Sequence, residues 1–166
     1  AQTISVDTFN DGVIDKTLTI PVSSSSFYTV KDFKENAAVT GISAEAVTRV
    51  LIDPIYVTVS GTVSMSLASG IKDEVSVSAT VLPDDLTNIV TEINKVSDIT
   101  GVIAILTSDK KRMILENSEA QDIKISNFVL PSGTTTAHVL DQKYQKTSSN
   151  ITLGSTSSNN SAVFTG

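Results

Sequence analysis

"LPDDLTNIVTEINKVSDITGVIAIL", residues 82–106, contains the clearest helix signal in the chain and runs directly from that helix into a strand signal. Apolar side chains recur at spacings of three and four, the period of a helix that buries one face. They are Leu86, Ile89, Val90, Ile93 and Val96. Asp84 and Asp85 are suited to cap the helix N-terminus, since negative charge is favoured near its free N–H groups. Gly101 is suited to end the helix in the left-handed conformation, and "VIAIL" after it predicts a strand.

The phrase at the end of this helix occurs twice. "TGVIA" at residues 100–104 repeats, slightly altered, the "TGISA" at residues 40–44. The first copy also follows a helical pattern, residues 29–38, for which Thr29 is the expected N-cap and Gly41 the expected stop. We therefore interpret each Thr-Gly as a joint between a helix and a strand. The chain is predicted to hold two related modules, each with the order strand, helix, strand, strand.

Several runs alternate apolar and small polar residues, the period-two pattern of strands with one wet face. The clearest is residues 55–67, where Gly61 is expected at a bend or bulge. Its apolar positions are Ile55, Val57, Val59, Val63, Met65 and Leu67. "TLTIPV", residues 17–22, indicates an edge strand because Pro21 lacks a backbone donor. Further strands are predicted within residues 42–53, 75–81, 102–106, 112–115 and 122–130.

Beyond residue 130 the chain becomes rich in Ser, Thr, Asn and Gly. Short apolar patches recur in this tail but are too sparse to build a core. They contain Val139, Leu140, Ile151, Leu153, Val163 and Phe164. We expect the tail to form weak strands or a linker that is ordered by contact. The contact would be with an open sheet edge of its own domain or with a neighbouring subunit.

Together these patterns predict an α+β fold that is predominantly β. Its two strand-helix-strand-strand modules would contain mainly antiparallel sheets, and the Ser/Thr-rich tail would follow them. The predicted division places the first module in residues 1–54, the second in residues 55–130 and the tail in residues 131–166.

The composition excludes several classes of function. A formal net charge of −6 and 5% aromatic residues oppose nucleic-acid binding, which uses basic surfaces and aromatic platforms. The absence of Cys excludes disulfides and thiolate metal sites. No run of about 18 apolar residues predicts a membrane span. The first residues show no signal-peptide pattern, so export would use a removed signal, another route or cell lysis.

No residue is predicted to be catalytic, cofactor-binding or metal-binding. "DTFNDGVID", residues 7–15, matches a calcium loop at Asp7 and Asp11 among others. Phe9 and Leu18, however, occupy positions that need oxygen ligands. A turn between strands is the favoured interpretation, and calcium in another geometry is left open.

Three further groups have a catalytic or binding interpretation and a structural one. His138, the only histidine, could join a Ser-His-Asp triad. No serine has the sequence setting of a nucleophile, so a strand or loop histidine is favoured. Asp84 and Asp85 could be paired catalytic carboxylates, but helix capping accounts for them better. "DKKR", residues 109–112, could be a basic patch and is expected to be a solvated hairpin turn.

Two patterns concern carbohydrate. Asn150 and Asn159 stand in the acceptor pattern for N-glycosylation, and exposed Ser and Thr residues could carry O-linked sugars. A carbohydrate-active or carbohydrate-binding domain is a further hypothesis. The chain lacks the aromatic platform and the convergent carboxylates that such domains commonly use.

The second module resembles a small module of bacterial flagellins and hook-associated proteins, the flagellin hook IN motif. The likeness lies in residues 85–128, with a helix, "INxxxxxTGV" at residues 93–102, a strand, a turn, an "LTS"-like strand and "DIxI" at residues 122–125. Residues 27–52 resemble the preceding helix-and-strand unit of such proteins. Similar modules are found in structural proteins of tailed phages, including those of marine cyanobacteria. The resemblance covers residues 17–128 and implies a role in shape and surface contact, with no catalytic residue.

A full flagellin begins and ends with long amphipathic helices, which are not found in these 166 residues. We therefore expect a non-enzymatic structural protein of an extracellular multi-subunit assembly. Its place would be in a tailed-phage virion, as a fibre, tail-associated or decoration protein. The alternative is the surface-exposed outer domain of a flagellin or hook-associated protein on a filament. Expected partners are subunits of the same assembly and a host surface receptor, with no cofactor, nucleic acid or membrane span.

Overall fold

Side chains that alternate between two faces produce strands over most of the chain, and helices form where the apolar spacing changes to three and four. The computed structural model describes residues 1–22, 24–55, 57, 60–154 and 160–165. It is 42% strand and 17% helix with antiparallel sheets, so the predicted fold class, α+β and predominantly β, is confirmed. The chain forms two compact units, a first unit, Ala1–Ala46, and a second unit, Val47–Thr165.

The first unit is a hairpin with one helix and a short second helix. Its elements are β1 (Gln2–Val6), β2 (Lys16–Ile20), α1 (Ser26–Glu35) and α2 (Ala37–Thr40). β1 and β2 pair antiparallel, with Ile4 opposite Leu18. α1 contacts β2, and the buried apolar side chains among the described residues of this unit are Leu18 on the hairpin and Val30 and Phe33 on the helix. The first unit therefore has a small core.

α1 begins before the residue that the sequence pattern favours. Ser25 has extended backbone angles, φ −71° and ψ 158°, and its side chain accepts the N–H of Tyr28. Thr29, the expected N-cap, lies inside the helix, where its Oγ1 donates to the Ser25 carbonyl at 3.1 Å. The N-cap prediction for Thr29 is therefore wrong. Several neighbouring hydroxyl residues can cap a helix, and only the backbone path selects one of them.

The second unit consists of two antiparallel sheets and helices around one core. Its strands are β3 (Thr48–Ile52), β4 (Gly61–Ser69), β5 (Val75–Val81), β6 (Ile103–Leu106), β7 (Met113–Asn117), β8 (Ile123–Val129), β9 (Thr135–Leu140), β10 (Lys146–Leu153) and β11 (Ala162–Phe164), and its helices are α3 (Thr87–Lys95) and α4 (Ser97–Thr100). The larger sheet has the order β10-β9-β3-β7-β6, and the smaller has the order β11-β8-β4-β5. Apolar residues of both sheets form one buried cluster, which makes the unit a sandwich.

α3 packs against β5 and β6, which are edge strands of the two sheets. Leu86, Ile89 and Ile93 are fully buried in the same cluster as Val102 and Ala104. The predicted apolar stripe is therefore confirmed as the face that this helix buries. Its position closes one side of the sandwich.

Asp84 and Asp85 precede α3, and neither occupies its N-cap position. Leu86 occupies the cap position and makes no side-chain capping bond. Asp85 Oδ1 accepts the N–H of Thr87 at 2.9 Å and also its hydroxyl. Asp84 has a positive φ of 54° and forms an ion pair with Lys111. Asp85 thus satisfies the first helical N–H, although neither aspartate is the N-cap residue that the sequence predicts.

The repeated Thr-Gly has the same backbone geometry in both units. Gly41 and Gly101 follow their helices with φ of 66° and 69°, the left-handed region that a glycine adopts at little cost. Their N–H groups donate to carbonyls four residues earlier, at 2.8 Å and 2.7 Å. The prediction that each glycine ends a helix in the left-handed conformation is confirmed.

The threonine before each glycine also has a structural role, because its hydroxyl makes hydrogen bonds at the end of the helix. Thr40 and Thr100 are buried. Each hydroxyl donates to the carbonyl four residues earlier, at 3.0 Å and 3.1 Å. Each also accepts the N–H two residues later, at 3.2 Å in both units. One hydroxyl therefore holds the last helical turn and the residue that leaves it.

The two units differ from the predicted division at residues 54 and 130. The prediction assigns residues 48–52 to the first module and residues 131–166 to a separate tail. In the structure, β3 lies between β9 and β7 in the larger sheet of the second unit. The first unit therefore ends at Ala46. Strand pairing sets this boundary, because the partners of β3 come from distant parts of the chain.

The predicted tail belongs to the core of the second unit. β9 pairs with β3 and β10, and β11 pairs with β8. Ala137, Leu140, Leu153 and Phe164 are buried, so the segment shares the core of the second unit and is not a separate tail. The tail is expected to contact either a sheet edge of its own domain or a neighbouring subunit. The structure shows the contact with its own domain. Each tail strand needs only one or two apolar residues, since other strands supply the rest.

β4 is shorter than the strand predicted in residues 55–67. It begins at Gly61, and Ile55 and Val57 are buried ahead of it outside any strand. Val59 lies outside the described residues. A Cβ built at Gly61 would lie 2.5 Å from the Cβ of Pro131. The glycine therefore permits a close approach of two segments, and its pairing with Val81 shows none of the bulge that is one of the two predicted irregularities.

Candidate assembly surface

The charged residues for which a catalytic or binding role is the less favoured interpretation form ion pairs between loops. Residues 109–112 connect β6 to β7, which pair antiparallel, so the hairpin-turn prediction is confirmed. Lys110 pairs with Asp85 at 2.9 Å and Lys111 with Asp84 at 3.0 Å, while Arg112 pairs with Asp109 inside the turn at 2.5 Å. The two lysine pairs link the β6–β7 turn to the segment before α3. The two neighbouring aspartates therefore stabilise a junction of elements.

A polar cluster surrounds Asp53, directly after β3. Its carboxylate contacts Arg112 Nε at 3.1 Å, His138 Nε2 at 3.5 Å and Lys146 Nζ, and Thr135 donates to its backbone carbonyl. Burial alone would raise the pKa of the Asp53 carboxyl. Hydrogen bonds and charges from Lys146 and Arg112 outweigh burial and hold that pKa below its ordinary value. The ionised carboxylate ties β3 to β9, β10 and the β6–β7 turn.

His138 lies on β9, with its ring beside this carboxylate. The interpretation of His138 as a strand histidine is therefore confirmed. Asp53 is not among the candidate residues predicted from the sequence, although four polar side chains meet there. No local signal marks it, since its partners lie far along the chain and meet only when β3, β9 and β10 pair.

The loop between β1 and β2 is a turn closed by its own carboxylates. Asp7 accepts the N–H groups of Asp11 and Gly12, at 3.3 Å and 2.9 Å. Asp15 accepts the N–H of Thr8 at 2.7 Å. The predicted turn between strands is confirmed, and the oxygens that resembled calcium ligands bind backbone donors.

The acceptor pattern at Asn150 lies on β10, an edge strand of the larger sheet. Its side chain is exposed, and Nδ2 donates to the Ser148 carbonyl at 3.2 Å. The second acceptor position, Asn159, lies outside the described residues.

Exposed apolar side chains are concentrated in the first unit. Among the described residues this unit buries three apolar side chains and exposes eight large ones. The exposed ones are Ile4, Phe9, Val13, Ile14, Val22, Tyr28, Val39 and Ile42. The second unit is more than twice as long and exposes the same number of large apolar side chains. The first unit therefore has an unfinished core.

Most edge strands carry a feature that hinders pairing with another chain. α3 covers β5 and β6. β10 carries Lys146 and has an irregular register with β9, and β11 has three residues. β2 begins at Lys16 and is followed by Pro21. β1 has none of these features, since residues 2–6 are uncharged, lack proline and pair with β2 in an unbroken register.

A cleft of about 430 Å³ lies between the end of β2 and α1 in the first unit. It is lined by Thr19, Ile20, Pro21, Val22, Ser24, Tyr28, Thr29 and Asp32. In the second unit the corresponding helix is bonded to its strand, because Asn88 on α3 donates to the Thr80 carbonyl on β5 at 2.8 Å. The cleft shows that α1 packs more loosely on its hairpin than α3 does.

Two further observations concern membrane association and similarity to known proteins. Within the described part of the chain, no helix is long and apolar enough to cross a membrane. A scan against protein-family models and a search of curated proteins find no match to the chain. The open edge of β1 and the exposed apolar side chains of the first unit are the surface features that another chain could cover.

Proposed function

We propose that the chain is a non-enzymatic structural protein of an extracellular multi-subunit assembly. Its place is in a tailed-phage virion, as a fibre, tail-associated or decoration component. The observation that carries the proposal is the unfinished first unit, which exposes more large apolar side chains than it buries and has an unprotected strand edge. A neighbouring subunit would cover both features.

The polar residues support a structural role. Asp53 is shared by Arg112, Lys146 and His138, which lie on different elements. A carboxylic acid that donates a proton in catalysis commonly has a raised pKa. The pKa of Asp53 is lowered by Lys146 and Arg112 against the effect of burial, and that of Asp85 is lowered by Thr87. Both carboxylates are suited to hold loops together.

The partners in this proposal are other subunits of the assembly, with a host surface receptor as a further one. Nucleic acid and cofactors have no part in it. The net charge of −6 opposes contact with a phosphate backbone. It also favours solubility of the free subunit before assembly.

The alternative is the outer domain of a flagellin or hook-associated protein, exposed on a filament. The observation in its favour is the order of elements in residues 85–128, the segment that resembles the flagellin hook IN motif. This segment forms α3, α4, the joint at Gly101 and then β6, β7 and β8. Both proposals place the chain in an extracellular assembly. In the first the assembly is a phage virion, and in the second it is a flagellar filament.

Immunogold electron microscopy tests the proposal and separates it from the alternative. Antibodies raised against the purified chain would be applied to intact phage particles and to flagellar filaments. The control is the same antibody absorbed with the chain. We expect regular labelling at one location on the virion. Labelling of filaments alone would support the alternative, and labelling of neither would overturn the structural role.

A further inference from the structure

The hairpin and helix of the first unit correspond to β4, β5 and α3 of the second unit. In each case an antiparallel hairpin precedes the helix, which begins six positions after the second strand ends, at Ser26 after Ile20 and at Thr87 after Val81. Each helix continues into a four-residue helix and ends at a left-handed glycine. β1 therefore holds the position in the first unit that β4 holds in the second.

The corresponding strands differ in what lies beside them. β4 pairs with β5 along one edge and with β8 along the other, both antiparallel. β1 pairs with β2 along one edge, and the described residues provide no strand for the other. The side chains reflect this difference. Ile4 and Val63 both lie opposite the position two residues before the end of the second strand, and Ile4 is 37% exposed while Val63 is fully buried.

A two-stranded hairpin is marginally stable, and a third strand gives a sheet more independent stability. The second unit shows which neighbour this arrangement accepts, an antiparallel strand along the edge that faces away from the hairpin partner. β1 is also free of lysine, proline, an irregular register and a covering helix, and at five residues it is longer than β11, the other edge strand without these features. The open edge of β1 is therefore suited to accept a strand by main-chain pairing.

We infer that this strand is β1 of a second copy of the chain, paired antiparallel across a two-fold axis at Ile4. The inference rests on the proposed structural role and names one contact of the assembly. Residues 2–6 are uncharged in a chain of net charge −6, so two copies meet here without repulsion between side-chain charges. The pairing places Thr3 opposite Ser5 of the second copy and the two Ile4 side chains together, both favourable cross-strand pairs. The result is a four-stranded sheet with the order β2-β1-β1-β2.

A matched pair of lysine variants tests which edge is used. Thr3 on β1 and Thr19 on β2 lie directly opposite each other and are both exposed. Thr3→Lys places one added positive charge from each copy in the paired β1 strands. It should weaken dimerisation about tenfold or more. Thr19→Lys adds the same charge on the neighbouring strand and should leave dimerisation unchanged. Sedimentation velocity over a concentration series measures both, with circular dichroism to check folding.

A cysteine variant tests the register. These 166 residues contain no Cys, so Ile4→Cys introduces a single thiol into them. Directly opposite residues of antiparallel strands have Cα atoms about 4.5–5.5 Å apart, within the range of about 4.4–6.8 Å that a disulfide spans. Under mild oxidation Ile4→Cys should form a covalent dimer, whereas Thr19→Cys should remain largely monomeric. Gel electrophoresis without reductant gives the ratio.

The outcomes separate this inference from the proposed function. A wild-type chain that stays monomeric over the whole concentration series would overturn the inference. Equal weakening by Thr3→Lys and Thr19→Lys, or preferential cross-linking at residue 19, would also overturn it. None of these results affects the immunogold labelling of particles. Absence of label on both particles and filaments would instead reject the structural role, whatever the dimerisation result.

Discussion

Among single residues, the two Thr-Gly joints share a backbone geometry but differ in their surroundings. A Cβ at Gly101 would lie 2.5 Å from Ser69 Oγ, whereas nothing lies within 4 Å of a Cβ at Gly41. Ser69 Oγ donates to the Thr100 carbonyl at 2.8 Å and accepts a hydrogen bond from Asn117 at 3.0 Å. The second joint is therefore also a packed part of the sandwich, while the first is only a helix stop.

Substituting alanine for each glycine should separate the cost of a positive φ, which both share, from the cost of tight packing, which only Gly101 has. Either substitution places a side chain at positive φ, which costs about 1–2 kcal/mol. Gly101→Ala should cost about 2–4 kcal/mol in total, because Ser69 must also move and strain its hydrogen bonds. Denaturant unfolding, followed by NMR signals of each unit, measures both variants, with Thr100→Ser as the conservative control. Equal losses at Gly41 and Gly101 would show that the joint at Gly101 is not tightly packed.

Asp85 gives the first turn of α3 a dependence on pH. Hydrogen bonds from the hydroxyl and N–H of Thr87, together with Lys110, lower the pKa of the Asp85 carboxyl from 3.8 to about 2. A carboxyl whose pKa is lowered in the folded chain stabilises it above the ordinary pKa. This contribution is lost as the pH falls from 3.8 through about 2.

Thr87→Val should raise the pKa of Asp85 toward 3.8 and flatten the change in melting temperature over that interval. NMR titration of the Asp85 carboxyl carbon measures the pKa, and calorimetry at several pH values measures the stability. Thr91→Val is the control, since its hydroxyl donates to the Thr87 carbonyl. An Asp85 pKa that is the same in the wild type and in Thr87→Val would contradict the role of this hydroxyl.

Among the elements, α3 is the one that connects the two sheets on one side of the sandwich. Ile93 is fully buried in the core cluster, whereas Ile99 on α4 is 49% exposed. Both belong to the stretch that predicts the fold most clearly. Comparing the stability lost on truncating each side chain shows how much of the contribution of this stretch comes from burial.

Ile93→Ala should destabilise the second unit by about 2–5 kcal/mol, because it removes buried methyl groups and leaves a cavity. Ile99→Ala should change the free energy of unfolding by less than about 0.5 kcal/mol, as surface substitutions usually do. Urea unfolding followed by circular dichroism compares the two. A small effect of Ile93→Ala would mean that α3 does not close the core.

β9 tests whether the predicted tail is part of the sandwich in solution. This strand lies between β10 and β3 in the larger sheet. Its amides should therefore exchange with solvent hydrogen as slowly as those of β3 in the isolated chain. Hydrogen exchange followed by mass spectrometry or NMR measures this without any partner. Rapid exchange throughout residues 135–140 would instead describe a linker.

On the scale of the whole molecule, the two units differ in how much apolar surface they bury. The first unit buries Leu18, Val30 and Phe33, whereas the remaining buried apolar residues belong to the second unit. Stability grows with buried apolar area. The first unit should therefore open at a lower free energy than the second unit.

Limited proteolysis of the dilute monomer should show this difference. We expect thermolysin to cut first within Ala1–Ala46 and to leave a resistant fragment that contains β3 to β9. At concentrations where β1 pairs with a second copy, cleavage within the first unit should slow. Thr3→Lys should abolish that slowing, and Thr19→Lys should not. Cleavage that begins in the larger sheet would contradict the order of stabilities.

Features set by a few neighbouring residues could be predicted from the sequence. The apolar stripe that contains Ile93, the stops at Gly41 and Gly101 and the β6–β7 turn depend on helical period, capping and turn chemistry. The fold class follows from these features together with the runs of alternating apolar and polar residues. The edge of β1 is harder to predict, since an uncharged alternating pentapeptide indicates a strand without showing whether a neighbour pairs with it.

Only the tertiary structure placed β3 in the second unit, brought the tail into the core and gathered Arg112, His138 and Lys146 around Asp53. Each of these depends on which strands pair. Many short strands with Ser, Thr and Val at alternating positions are compatible with one another, so their local patterns do not select a partner. The selection comes from the free energy of the complete sandwich, in which sparse residues such as Ala137 and Phe164 are buried by side chains from distant parts of the chain.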